Sequence, residues 1–152
     1  MLPGSRARLA LGLAIGVFAL SPPLASAGHL TVQVTTVQAT DSGECDPSLE
    51  PLRARLRKVA GYTSYRALAD ERRTVGWHSE EEFQLPGGRS LLLWPKAMQD
   101  HRVVLQVRLL DGTRRLVDTQ VRLQNRGFMV FGLGRDGHVG NGATLILLRA
   151  EN

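Results

Sequence analysis

The chain has 152 residues, 43% of them hydrophobic, with 19 basic against 14 acidic side chains, a formal net charge of +5 and one cysteine. A single cysteine excludes an internal disulfide, so the folded part must stand on its hydrophobic core. Two of the basic residues, Arg6 and Arg8, belong to the N-terminal segment; without them the excess falls to about +3 and the working protein is only mildly basic.

Arg6 and Arg8 precede an apolar run from Leu9 to Leu20, broken by Ser21-Pro22-Pro23, and Ala25-Ser26-Ala27 supplies small residues for a peptidase. A basic start, a short apolar run and an A-x-A site together predict a secretory signal peptide over residues 1–27. The run is short for a membrane span, which needs about 20 apolar residues. The expectation is cleavage after Ala27, with Gly28 as a second site. An uncleaved signal anchor is the alternative, and then the membrane is touched only through this segment. Residues 28–152 form a single β-rich domain, exported to the periplasm or cell envelope.

Leu30, Val32 and Val34 alternate with polar residues as a first strand, and Ala39 to Glu44 reads as a loop around Cys45, a half-buried filler. The chain's helix follows. Leu49, Leu52, Leu56 and Val59 make one apolar stripe, Ser48 suits the N-cap with Pro51 in the first turn, Asp46 is the other cap candidate, and Gly61 supplies the stop. Tyr62 to Leu68 and Thr74 to Trp77 then read as two strand pieces, Phe83 to Leu85 and Leu91 to Trp94 as two more, with Pro86-Gly87-Gly88 turning between them. Lys96 to His101 reads as a polar connection. From Arg102 to Ala150 the pattern is two hairpins end to end, turned by Asp111-Gly112 and Asn125-Arg126-Gly127. About nine strands and one helix predict an α+β fold, mostly antiparallel β: a small sandwich or open barrel with the helix packed on it. The expected core is Val103, Leu105, Val107, Val121, Leu123, Ile146 and Leu148, with Leu52 and Leu56 of the helix against them.

Tyr62-Thr63-Ser64-Tyr65-Arg66, Leu85-Pro86-Gly87-Gly88-Arg89 and Arg102 to Val107 resemble a family of small exported bacterial proteins with no assigned activity. The resemblance implies a secreted β-rich domain and carries no catalytic motif.

Reactive centres find little support. Gly132-Leu133-Gly134-Arg135-Asp136-Gly137 fits G-x-G-x-x-G, but that fingerprint works only where a helix begins, and further glycines and a strand follow. No G-x-S-x-G elbow is present. Glu80, Glu81 and Glu82 on an extended chain point to alternating faces and suit a charged edge strand. The expectation is a protein that is not an enzyme and holds no cofactor.

Arg102, Arg108 and Arg122 occupy the less apolar alternation of the two long strands, with Gln106 and Gln120 between them. Strand periodicity can bring these guanidinium groups to one sheet face, where they suit phosphates or carboxylates, with Asp118 neutralising part of the patch. The function expected is a binding or assembly module whose partner is an envelope protein or an anionic surface polymer. An exported protein meets these before it meets nucleic acid. The alternative is copper. If cleavage after Gly28 left His29 as the N-terminus, its amine and imidazole with Asp136 and His138 would offer a tetragonal N,N,N,O set. His29 and Asp136-x-His138 on a small exported β-sandwich are similar to the periplasmic copper-carrier family, which lacks this chain's helix and additional strands.

Overall fold

In the computed structural model, which describes residues 28–135 and 142–152, the alternation of Val103, Leu105, Val107 and Leu109 becomes the core between two sheets. The strands are β1 (His29–Thr40), β2 (Ser64–Gly76), β3 (Glu81–Leu85), β4 (Arg89–Gln99), β5 (Arg102–Asp111), β6 (Arg114–Gln124), β7 (Phe128–Arg135) and β8 (Gly142–Glu151). They form two antiparallel four-stranded sheets, ordered β2-β1-β8-β7 and β3-β4-β5-β6. Leu30, Val32, Val34, Ile146 and Leu148 from the first meet Phe83, Leu91, Leu93 and the β5 side chains from the second. The fold is thus a small α+β sandwich, and all seven strand residues expected in the core are buried in it.

The helix is elsewhere. Pro47–Leu52 forms a 3₁₀ helix that runs into α1 (Arg53–Ala60), and both lie on the outer side of the β2-β1-β8-β7 sheet. There Leu49 and Leu56 are buried, and Leu52 is half-buried, in a second cluster with Val37, Ala39, Tyr65, Leu145 and Leu147. Leu52 and Leu56 therefore do not pack against the main core, as their apolar stripe predicted. The reason lies in β1 and β8, whose central position requires cover on both faces; the unbroken run Leu145-Ile146-Leu147-Leu148 is that requirement in the sequence. Val59, the last residue of the stripe, is 67% exposed. It overhangs a hollow of about 300 Å3 beside Val130 and Gly132, and the glycine offers no side chain to meet it.

The cap also differs from expectation. Asp46, not Ser48, accepts at the helix start, from the Ser48 backbone N–H at 2.9 Å and the Ser48 hydroxyl at 2.7 Å. Pro47 takes the first helical position, and Pro51 falls inside the 3₁₀ segment. Asp46 also donates its own N–H to the Tyr65 carbonyl at 2.8 Å, which ties the segment to β2. Gly61 ends α1 with φ of 76° and its N–H on the Arg57 carbonyl.

Several strands run longer than expected, and the described strands number eight rather than nine. β1 continues through Ala39. β2 joins the two predicted pieces across Asp70 to Arg73, because an edge strand tolerates charge. One of those charges, Arg73, stands 4.5 Å over the Phe83 ring, donates to the Glu82 carbonyl at 2.7 Å and pairs with Glu71 and Glu81. It links edge strands β2 and β3 across the side of the sandwich. β4 continues to Gln99 with a bulge at Lys96, where Pro95 has no N–H to give. The turn into β5 is then Asp100-His101, both at positive φ (49° and 60°).

No helix among the described residues is long and apolar enough to cross a membrane. The predicted signal peptide, residues 1–27, lies outside the described residues.

Candidate functional site

With Val103, Leu105, Val107 and Leu109 turned inward, the residues between them lie on the outer side of the β3-β4-β5-β6 sheet, where Gln106 and Arg108 are half-buried and Val104 is covered by its neighbours. Register sets the neighbours across β5 and β6: Arg102 opposite Gln124, Val104 opposite Arg122, Gln106 opposite Gln120 and Arg108 opposite Asp118. Arg102, Arg108 and Arg122 therefore share one face. They are not one cluster. Arg102 and Arg122 are diagonal neighbours near one end, and Arg108 lies six residues along β5, about 20 Å away at strand rise.

Arg108 sits in a local ion network. Its Nε lies 3.5 Å from Asp118 Oδ2, too poorly aligned for a hydrogen bond, and the same carboxylate oxygen holds Arg115 at 3.1 Å. The other oxygen accepts from Gln106 Nε2 at 2.7 Å. Asp118 is the single carboxylate within this trio of partners. Arg102 and Arg122 have no carboxylate within 4 Å among the described residues, so their guanidinium groups remain available to a ligand.

Two features of this face were not drawn from the sequence. Arg115 reaches it because an extra residue in β6 shifts the register, so that Arg115, not Leu116, stands opposite Leu110. Trp94 reaches it from β4, opposite Gln106, and is 37% exposed in the middle of the sheet with Lys96 Nζ 3.0 Å over its ring. The signal for Trp94 was its place in Leu91-Leu92-Leu93-Trp94: Leu91 and Leu93 point inward, so Leu92 and Trp94 point outward. Trp94, Gln106 and Gln120 stand in one row across β4, β5 and β6, with the arginines on the same face, and offer stacking, amide hydrogen bonds and charge to one elongated ligand.

Two members of the copper set, Asp136 and His138, lie outside the described residues. The residues on either side of that segment, Arg135 and Gly142, belong to the end of the sheet where Gly142 pairs with Thr40. His29 is at the opposite end of β1 from Thr40 and is paired with Gly76. Among the described residues no three His, Cys, Asp or Glu side chains are grouped as metal ligands would be. Cys45 is half-buried against the helix cluster, and β7 runs through Gly132 and Gly134 as strand, with no helix opening there.

Comparison of the chain with protein-family models, with curated proteins and with solved structures finds no match.

Proposed function

We propose that this chain is an exported, non-enzymatic binding module of the periplasm or cell envelope, and that the outer face of the β3-β4-β5-β6 sheet takes an anionic surface polymer. One observation carries the reading: Arg102, Arg122, Arg108 and Arg115 lie on the same sheet face as Trp94 with its overlying Lys96. Guanidinium groups match carboxylates and phosphates by paired N–H donors, and a ring between them supplies a surface for the apolar side of a sugar unit. The spread of the arginines along about 20 Å suits a chain of repeated charges better than one small anion. The sequence resemblance to small exported proteins and the N-terminal signal pattern support the compartment.

The test uses polygalacturonate as the anionic probe and dextran as the neutral one. Polygalacturonate should bind and weaken with added salt, as exposed ion contacts do, and dextran should not bind. The double reversal Arg102→Glu with Arg122→Glu should lower polygalacturonate affinity by about a hundredfold, two charge-assisted contacts being lost. Unchanged affinity in a folded double variant would rule out this face.

A further inference from the structure

The opposite side of the sandwich carries a separate groove of about 280 Å3, between the helical segment and the outer face of the β2-β1-β8-β7 sheet. Its floor is the cross-strand pair Gln33 and Arg149. Glu151 is engaged by Arg126 at 3.0 Å and Arg72 at 3.7 Å, and Arg149 has no carboxylate within 4 Å among the described residues. Arg55 adds a second cation at the rim, held 5.3 Å over the Phe128 ring. At the other end stands Asp70, whose carboxylate accepts from Gln33 Nε2 at 3.0 Å and from Thr35 Oγ1 at 2.7 Å. Both of those partners are neutral, and no cation lies within 4 Å of the carboxylate among the described residues. Leu52 and Leu147 add apolar lining, and Gln33 and Thr35 of β1 lie between the two charges.

The groove thus holds a cation on one side of β1 and an anion on the other, with apolar side chains beside them. We infer that it binds a short peptide with free termini, its carboxylate on Arg149 and its ammonium on Asp70. The groove sets the length. Asp70 and Arg149 lie on strands separated by β1 and are offset by two residues, so their Cα atoms are about 12 Å apart at sheet spacing. Two or three residues at roughly 3.3–3.6 Å each fill a groove of about 280 Å3. Gln33 favours a peptide over another zwitterion of that length. It spends its amide N–H on Asp70, and its Oε1 accepts no hydrogen bond among the described residues and is free to accept a peptide N–H.

The probe is trialanine. With both termini free it should shift the backbone NMR signals of Gln33, Phe128 and Arg149. N-acetyl-trialanine and trialanine amide should each bind at least about tenfold more weakly, one charge-assisted contact being lost in each. Asp70→Asn should abolish the penalty of acetylation, and Arg149→Gln that of amidation. The inference is overturned if trialanine leaves these signals in place at millimolar concentration. It is equally overturned if the blocked peptides bind as well as the free one, or if inorganic phosphate competes as strongly as the peptide. The Arg102 and Arg122 reversals are on the other face and should leave trialanine binding unchanged.

Discussion

Arg108 and Asp118 face each other across β5 and β6, and Asp118 divides its charge between Arg108 and Arg115. Two guanidinium groups thus share one carboxylate on the face proposed to meet a polyanion. Asp118→Asn removes that competitor and should raise polygalacturonate affinity several-fold. All three side chains are partly exposed, so unfolding stability should change by less than about 1 kcal/mol. Titration and chemical denaturation of the same sample check both points. A fall in affinity would mean that Asp118 orients the arginines instead of occupying them.

The helical segment offers a sharp contrast between two residues of one sequence stripe. Leu56→Ala empties a fully buried site in the second cluster and should cost about 2–5 kcal/mol, the range for a core leucine. Val59→Ala, at a 67% exposed position, should stay within about 0.5 kcal/mol. Equal losses by urea denaturation would contradict the packing described for α1.

Asp46 gives a pH signature. The hydrogen bond from the Ser48 hydroxyl, and next that from the Ser48 N–H, hold its carboxyl below the ordinary value of 3.8. A depressed folded value means that ionised Asp46 stabilises the fold above the unfolded value, and that this contribution disappears as pH falls through the folded one. Asp46→Ala should therefore lower the urea midpoint at neutral pH, and the gap to the unmutated protein should narrow as pH drops below about 3.8. A gap that stays constant through that range would place the effect outside the cap.

Period and turn chemistry made most of the sandwich legible. Leu105 to Leu109 and Val121 to Leu123 alternate, and Gly87, Gly88 and Gly112 all take the positive φ that their turns require. What escaped has physical causes. Asp100-His101 adopts positive φ at two non-glycine residues, so the β4–β5 turn lacked a glycine to mark it. The charges of Asp70 to Arg73 hid a continuous strand because their partners, Gln33, Thr35 and Glu81, come from other strands. Alternation brought Arg102, Arg108 and Arg122 to one face, but their spacing depended on register, and Arg115 arrived through a bulge. The groove around Arg149 was invisible for a related reason: it exists only where the helix meets the far side of the sheet.

Chemical-shift mapping with polygalacturonate tests the central claim most directly. The backbone signals of Arg102, Gln106, Gln120 and Arg122 and the Trp94 indole should move together as polymer is added, while those of Thr35, Asp70 and Leu147 on the opposite sheet stay still. Movement confined to the opposite sheet, or no movement on the arginine face at saturating polymer, would contradict the account.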